Sequence, residues 1–234
     1  MHDAAVCWAV IPAAGTGTRM RNQTPKQYLH LGDRIVIEHT LARFICHPEI
    51  QGIVVAIDVQ DRMWPSLVIE SPKPLVTVPG GPERAHSVLN ALRHLDSTAQ
   101  TRDWVLVHDA ARPCLTDHDL NQLLMVLEND PVGGILATPV RDTLKHGDAD
   151  NRVDATVDRT ALWHALTPQM FRLGVLRDAL EDAISGSEIV NDEAVAMERA
   201  GLRPRLIKGR SDNIKITYPE DLALAERILA TQSR

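Results

Sequence analysis

The stretch from Cys7 to Lys26, CWAVIPAAGTGTRMRNQTPK, decides the fold class. It opens with an apolar run, Cys7–Ile11, that has no polar residue to turn toward solvent. Runs of this kind form strands in parallel sheets whose two faces are both covered by helices. A loop with two glycines follows at once, and in such sheets the ligands bind at the loops after the strands. We therefore expect a buried first strand and a ligand-binding loop directly after it.

Further apolar runs alternate with helical patterns along the rest of the chain. The runs that predict buried strands are Cys7–Ile11, Ile53–Ile57, Leu75–Val78, Trp104–Val107 and Gly134–Thr138. Apolar residues at helical spacing predict amphipathic helices at Val88, Leu89, Leu92 and Leu95, at Leu120, Leu123, Leu124 and Leu127, and at Leu222, Ala225, Ile228 and Leu229. A capping box, Thr116 with Asp119, predicts the start of the second helix, and Pro219 predicts the start of the third. The alternation predicts an α/β fold with three layers: a doubly wound, mostly parallel, Rossmann-like sheet in a single domain over residues 1–234.

The segment Pro139–Arg159 interrupts this alternation because it is polar. It contains two short β-like pieces, Val140–Lys145 and Val153–Val157, on either side of a turn at Gly147–Asn151. This pattern predicts a protruding two-stranded β-arm. An isolated hairpin is only marginally stable in water, so an arm of this length is expected to rest on something, such as a second subunit. The alternative is a flexible surface hairpin.

Composition excludes several classes of protein. Of the 234 residues, 44% are hydrophobic and 24% are charged, which is typical of globular proteins rather than disordered or fibrous ones. The net charge of −6 argues against non-specific binding to nucleic acid or to an anionic membrane. The longest apolar stretch, Ala4–Ile11, is too short to span a bilayer, and the first strand begins too early to leave room for a signal peptide. Three scattered cysteines, Cys7, Cys46 and Cys114, favour a reducing cytoplasm over a disulfide framework.

The loop after the first strand suits a triphosphate. Gly15 and Gly17 let the backbone approach a ligand closely and point N–H groups at phosphate oxygens. Arg19 and Lys26 add two cations, which stabilise the negative charge that gathers on a leaving pyrophosphate. A structural reading, in which the loop is simply a tight turn between a strand and a helix, explains the glycines but not the cations.

Two familiar phosphate-binding loops do not fit this stretch. A dinucleotide fingerprint would need a third glycine where the chain has Met20. A Walker A loop would need lysine directly after Gly17, which is followed instead by Thr18 and Arg19.

The stretch Ala13–Lys26 resembles the signature of nucleotidyltransferases that join a nucleoside monophosphate to a phosphorylated sugar or polyol. Later motifs narrow the match, and they are GGPERAHS at 80–87, VHDAARP at 107–113, RDT at 141–143, LTPQ at 166–169, DEA at 192–194 and NIK at 213–215. Together they resemble the 2-C-methyl-D-erythritol 4-phosphate cytidylyltransferase family, from about Val6 to Glu226. The resemblance implies transfer of CMP from CTP to that polyol phosphate in the non-mevalonate isoprenoid pathway. It also implies a homodimer through the arm, and Mg²⁺ held mainly by the CTP phosphates, with its protein ligands unknown.

The resemblance further implies roles for individual residues. Those matched to catalytic roles are Arg19, Lys26, Arg159 and Lys215. Those matched to nucleotide contacts are Ala13, Ala14, Gly15, Gly17, Gly80, Gly81, Arg84 and Ser87. Those matched to substrate contacts are Asp109, Arg112, Thr143 and Thr167. Within these groups, Thr143 and Arg159 match residues of the arm that reach the active site of the neighbouring subunit.

Two positions depart from the family pattern. Pro82 stands where some relatives have a residue with a backbone N–H, so any base contact through that amide is absent. Asn191 replaces a threonine before the DEA motif. Two rival functions also stay open at this point: a cytidylyltransferase for another polyol phosphate, such as ribitol 5-phosphate, and a regulatory module that binds nucleotide without turnover.

Overall fold

A computed structural model describes residues 5–15, 24–186 and 189–232. Its strands are β1 (Cys7–Pro12), β2 (His30–Leu31), β3 (Arg34–Ile35), β4 (Ile50–Ile57), β5 (Leu75–Pro79), β6 (Trp104–Val107), β7 (Gly133–Pro139), β8 (Leu144–Gly147), β9 (Val153–Val157), β10 (Trp163–Arg172) and β11 (Arg205–Lys208). Its α-helices are α1 (Val36–Cys46), α2 (Arg84–Leu95), α3 (Asp117–Leu127), α4 (Leu173–Ser185), α5 (Glu193–Arg199) and α6 (Glu220–Gln232). Over these described ranges, no helix is both long enough and apolar enough to cross a bilayer.

Seven strands form the central sheet in the order β11-β7-β10-β6-β1-β4-β5. Strand β1 pairs in parallel with β4 and β6, and further parallel pairs join β4 to β5 and β7 to β11. Only β10 runs antiparallel to its neighbours β6 and β7. The prediction of a mostly parallel sheet is therefore confirmed, and all five predicted strands are present, most of them slightly longer than expected.

Helices cover both faces of this sheet, as predicted. Side chains of β1 alternate between the faces, with Ala9 and Ile11 in the core that contains α1 and α3. Trp8 and Val10 contribute to the opposite core, which contains α2, α4 and α5. A smaller apolar cluster holds α6 against α1 near Ala111, at the end of the molecule where the parallel strands finish. Because helices cover both faces of the sheet, the carboxyl edge of the sheet is the place for a site.

The predicted capping box of α3 is only half formed. The hydroxyl of Thr116 accepts a hydrogen bond from the amide of Asp119, as expected. The Asp119 carboxylate, however, accepts from the amide of Arg210 at 3.2 Å, so it serves the loop after β11. Helix α6 begins directly after Pro219, as predicted.

A separate two-stranded antiparallel sheet, β8 with β9, lies within the Pro139–Arg159 segment. Its first strand begins at Leu144, so the predicted piece Val140–Lys145 was wrong in its bounds. The reason is that the amide of Val140 donates to the carbonyl of Leu162, which extends the β7–β10 pairing past Pro139. All residues of β9 are exposed. Contact between this hairpin and a second subunit stays a prediction.

Candidate active site

A cleft of about 330 Å³ lies at the carboxyl edge of the sheet, within the size range of small-molecule sites. Its lining comes from the ends of β1, β5 and β6, from the start of α2 and from the segment before α6. The lining residues are Pro12, Ala13, Ala14, Gly15, Lys26, Gln27, Gly81, Pro82, Glu83, Arg84, Ser87, Asp109, Ala110, Ala111, Lys215 and Thr217. The cleft is therefore built by segments that are far apart in the chain: β1 and β6 are neighbours in the sheet, β5 lies beyond β4, and the segment before α6 follows the edge strand β11.

The loop after β1 is held by Gln27. This buried side chain donates from Nε2 to the carbonyls of Ala13 at 2.7 Å and Gly15 at 3.2 Å. The amide of Ala13 donates to the carbonyl of Ala56 in β4. Because the C=O and N–H of one peptide unit point in opposite directions, the bond to the Ala13 carbonyl turns the amide of Ala14 away from Gln27. Among the residues that the structure describes, none comes within 4 Å of the position of a Cβ at Gly15.

The loop after β5 needs its two glycines because other parts of the protein approach it closely. A Cβ at Gly80 would lie 2.3 Å from the Cβ of Ala14, and one at Gly81 would lie 2.3 Å from that of His86. The hydroxyl of Ser87 accepts from the amide of Gly81 at 3.0 Å and donates to the carbonyl of Glu83 at 3.3 Å. Ser87 therefore ties the glycine loop to the first turn of α2.

Three cations surround the carboxylate of Asp109, which follows β6. Its Oδ1 accepts from Arg84 Nε at 2.9 Å, and its Oδ2 lies 3.3 Å from Arg112 Nε and 2.9 Å from Lys215 Nζ. Burial disfavours the charged carboxylate, but Arg84, Lys215 and Arg112 together hold the pKa of Asp109 well below its usual value. Asp109 is therefore ionised at neutral pH and fixes the position of three cationic side chains.

A chain of buried hydrogen bonds supports Asp109 from behind. Its amide donates to Thr167 Oγ1 at 3.1 Å, and this hydroxyl lies 2.9 Å from His108 Nδ1. His108 Nε2 lies 3.0 Å from the carbonyl oxygen of Arg112, which can only accept, so Nε2 carries the proton and Nδ1 accepts from Thr167. Burial lowers the pKa of His108 to about 4, which agrees with this neutral form.

Two lysines meet at the segment between β11 and α6. Lys26 Nζ donates to the carbonyl of Ile216 at 3.0 Å, directly after Lys215 in the chain. Asn213 holds the start of this segment, since its side-chain amide donates to the carbonyl of Thr167 and its own carbonyl accepts from Arg112. Residues from the first and last quarters of the sequence therefore place two ammonium groups on one side of the cleft.

The structure brings most of the predicted site residues together. Those that line the cleft are Ala13, Ala14, Gly15, Lys26, Gly81, Arg84, Ser87, Asp109 and Lys215. Gly80 lies beside Ala14, whereas Arg112 and Thr167 are buried behind the wall, where they bond to Asp109. Gly17 and Arg19 lie outside the described residues.

Two predicted residues lie elsewhere. Thr143 and Arg159 are both exposed at the base of the hairpin, where Leu144 of β8 pairs with Val157 of β9. Neither lines the cleft of its own chain among the residues that the structure describes.

Three polar residues of this site were not predicted to take part in it, namely Gln27, His108 and Glu193. Each lies next to a residue or within a motif that carried the resemblance, but none was assigned a role. His108 had the clearest signal, because it directly follows a fully apolar strand; it is buried, and a buried polar side chain needs hydrogen-bond partners. Glu193, in the DEA motif, is fully buried and accepts from Arg84 Nη1 at 2.6 Å and Nη2 at 3.0 Å.

The described residues contain no group of three or more histidine, cysteine, aspartate or glutamate side chains that could together hold a metal ion. Both oxygens of Asp109 already contact cations. This donor set suits a divalent cation that is bound mainly by the oxygens of a nucleotide.

Comparisons with known proteins agree with the geometry. The model of the 2-C-methyl-D-erythritol 4-phosphate cytidylyltransferase (IspD) family matches residues 7–231. A protein of that name from Pseudomonas fluorescens (strain Pf0-1) is 56% identical over 216 residues, or 92% of each chain. One from Tolumonas auensis is 53% identical over 224 residues, or 96% of each chain.

Solved structures agree as well. The crystal structure of the Francisella tularensis enzyme of that name superposes with a TM-score of 0.83 at 36% identity, covering 96% of this chain and 100% of the other. The enzyme of Thermus thermophilus gives a TM-score of 0.77 at 30% identity, covering 98% of this chain and 100% of the other. The chain belongs to the 2-C-methyl-D-erythritol 4-phosphate cytidylyltransferase family.

Proposed function

We propose that this cleft is where the chain transfers CMP from CTP to 2-C-methyl-D-erythritol 4-phosphate, the cytidylyltransferase step of non-mevalonate isoprenoid biosynthesis. The products are 4-diphosphocytidyl-2-C-methyl-D-erythritol and pyrophosphate. The observation that carries the proposal is the convergence of Lys26 and Lys215 on one side of the cleft, at one edge of the sheet. Two polyanions have to meet in this reaction, and such a convergence of cations offsets their mutual repulsion.

The reaction is an in-line displacement at phosphorus. An oxygen of the polyol phosphate forms a bond to the α-phosphorus of CTP, and the bond from that phosphorus to the oxygen bridging to the β-phosphate breaks. The electron pair leaves with pyrophosphate. A phosphate monoester is already anionic, so the protein has no proton to remove, and its task is to align the reactants and stabilise charge.

The two lysines fit different parts of this reaction. Lys26 lies at the loop after β1, where the triphosphate is expected, and it and Arg19 stabilise the charge that gathers on the leaving pyrophosphate. Lys215 is bonded to Asp109 and more than a third of its side chain is exposed, so it is available to the acceptor phosphate. Arg112, Asp109 and Thr167 then act from behind, by holding Lys215 and the cleft wall in place.

The Gly80–Ser87 loop is the proposed site of the base. Its fixed backbone groups can read the edge of cytosine. Pro82 offers only a carbonyl, and the Gly81 amide is already bonded to Ser87. At positions 81 and 82 the backbone therefore presents acceptors only, which suit the exocyclic amine of cytosine.

Mg²⁺ is the proposed cofactor, arriving with CTP and held mainly by its phosphate oxygens. When bound, it neutralises the triphosphate and favours departure of pyrophosphate. Asp109 would lie near the metal ion, but it could not offer both of its carboxylate oxygens because both already contact cations. The remaining contacts of the nucleotide would come from Lys26 and the backbone of Ala13–Gly15.

The proposed assembly is a homodimer in which the hairpin of each subunit supplies Thr143 and Arg159 to its partner's cleft. Both residues are exposed in the single chain, and so are the apolar residues Val157 and Trp163 beside them. We place the enzyme in the cytoplasm, because all three cysteines are unpaired and two of them are buried thiols.

Pyrophosphate release by the purified protein with MgCl₂ tests this function. We expect turnover with CTP and 2-C-methyl-D-erythritol 4-phosphate, and little with UTP or with ribitol 5-phosphate. Turnover with ribitol 5-phosphate alone would identify a different acceptor. Binding of CTP without release of pyrophosphate under any condition would identify a regulatory module instead.

A further inference from the structure

Arg84 lies between two carboxylates at the wall of the cleft. Its Nε donates to Asp109 Oδ1 at 2.9 Å, while Nη1 and Nη2 donate to the two oxygens of Glu193 at 2.6 and 3.0 Å. The Glu193 side chain is 1% exposed, against 23% for Arg84. Glu193 is therefore too deeply buried to meet a substrate, whereas Arg84 lines the cleft.

The fold fixes Glu193 through β10. Gln169 donates from Nε2 to Asp192 Oδ2 at 3.0 Å and accepts from the amide of Ala194 at 2.9 Å. Asp192 caps α5 by accepting from the amide of Val195. The residues on both sides of Glu193 are thus tied down, so its carboxylate is presented to Arg84 in one direction.

Without Glu193, the Arg84 side chain would be free to bind the nucleotide instead of Asp109. Guanidinium groups form strong bidentate pairs with phosphates, and a triphosphate is expected close to Arg84. If Arg84 turned to the nucleotide, Asp109 would lose the donor at Oδ1 and would be left with Arg112 and Lys215. The bidentate pair with Glu193 occupies the fork of Arg84 and leaves Nε for Asp109.

We propose that Glu193 is a positioning residue of the cytidylyltransferase reaction: it holds Arg84 on Asp109 and away from the nucleotide phosphates. Through Asp109 it sets the place of Lys215, and it touches no substrate. This inference rests on the proposed function of the cleft.

The test is Glu193→Gln, which keeps the length of the side chain and removes its charge. Because misplacement of a catalytic group by about 1 Å can cost about 100-fold, we expect kcat to fall about 10- to 100-fold. The KM for CTP should stay the same or decrease, because Arg84 becomes free to bind phosphate. A residue with only a structural role would not separate kcat from KM in this way.

Glu181→Gln is the matched control. Glu181 also pairs with an arginine of α2, Arg93, at 2.9 Å, but both side chains are well exposed and lie outside the cleft. We expect wild-type kcat and KM from this variant.

The Nε–H resonance of Arg84 in an NMR spectrum reports its bond to Asp109 directly. We expect it to shift and to exchange faster with water in Glu193→Gln. If that variant fails to fold, Glu193→Asp provides the test: it keeps the charge but is too short to hold both Nη atoms, so a fall in kcat is again expected.

Wild-type kcat in a folded Glu193 variant, or a fall in kcat with an unchanged Arg84 resonance, would overturn this inference. Either result leaves the proposed function intact provided that the wild-type protein turns over. Absence of turnover in the wild-type protein would instead count against the function itself.

Discussion

Lys26 Nζ lies 3.0 Å from the carbonyl oxygen of Ile216, so its ammonium is held against the segment that carries Lys215. Removing one preorganised group that stabilises transition-state charge costs about 100- to 1,000-fold in kcat. We expect a loss of this size for Lys26→Ala, measured as pyrophosphate release at saturating CTP. Arg19→Ala should give the same loss, an expectation that rests on the resemblance alone.

The fold should survive removal of Lys26, because loss of a hydrogen bond such as that to the Ile216 carbonyl costs only about 1 kcal/mol. Lys208→Ala is the control, since Lys208 is an exposed lysine of the edge strand β11 and does not line the cleft. If Lys26→Ala kept near-wild-type kcat, this lysine would have no part in stabilising the triphosphate.

His108 gives the protein a predictable dependence of stability on pH. Burial lowers the pKa of the folded imidazole to about 4 from an ordinary value of 6.5, so the unfolded chain takes up this proton first as the pH falls. The contribution to stability is therefore complete above pH 6.5 and is lost toward pH 4. We expect the free energy of unfolding in urea to fall by about 2 kcal/mol between about pH 7 and pH 4.5 from this residue.

Other carboxylates titrate in the same range, so the control is His108→Gln measured at the same pH values. This variant should be less stable at neutral pH because the bonds that His108 Nε2 and Nδ1 make are both lost. Its stability should nevertheless decrease less steeply with falling pH. Equal slopes for the two proteins would show that His108 is not the group that titrates.

At the scale of elements, a substitution of Pro82 in the loop after β5 can distinguish an effect on base recognition from an effect on folding. It is exposed, it lines the cleft and it has no N–H to donate. Pro82→Asp restores an amide next to the proposed base site, so we expect a change in the KM for CTP that is larger than any change in kcat. Steady-state kinetics with CTP as the varied substrate measures both.

Pro131→Asp is the control, because Pro131 is also exposed and precedes β7 outside the cleft. Thermal unfolding of both variants completes the comparison. If Pro82→Asp left KM unchanged and lowered the melting temperature, Pro82 would be a turn residue with no part in base selection.

The elements that could be predicted are those whose pattern lies within their own stretch of sequence. Strands such as β6 are continuously apolar because both of their faces are buried, and that signal does not depend on what lies nearby. Strand β10 carries Thr167, Pro168 and Gln169, and a proline argues against a central strand. Its pairing with β7 shifts between Ala165 and Gln169, around that proline, and nothing local predicts such a shift.

The site residues also divide into those that local sequence could predict and those that it could not. Lys26 and Asp109 lie in loops that follow apolar strands, so their place at the carboxyl edge could be predicted. The pairing of Arg84 with Glu193 could not, because it joins helices α2 and α5 through packing that no local pattern encodes. Gln27 was hidden for a similar reason, since its role depends on where the carbonyls of Ala13 and Gly15 point.

At the scale of the whole molecule, apolar side chains are exposed on the hairpin and at the start of β10. Val153 is 66% exposed and Trp163 is 37% exposed, and Leu162, next to Trp163, is also exposed. Exposed apolar residues are found at surfaces that contact another protein. A second copy of the chain is the partner that the resemblance implies, and a two-fold axis makes the exchange of hairpins reciprocal.

Mixed dimers test whether Arg159 acts on the partner's cleft. In a dimer of one Arg159→Ala subunit and one Lys26→Ala subunit, exchange of hairpins gives one site with both defects and one site with neither. Random mixing makes half of the dimers hybrid, so two inactive variants should together recover roughly a quarter of the wild-type activity. If Arg159 served its own chain, every site would keep one defect and mixing would restore nothing. Each variant mixed with itself is the control, and light scattering gives the mass: a fully active monomer would contradict the exchange outright.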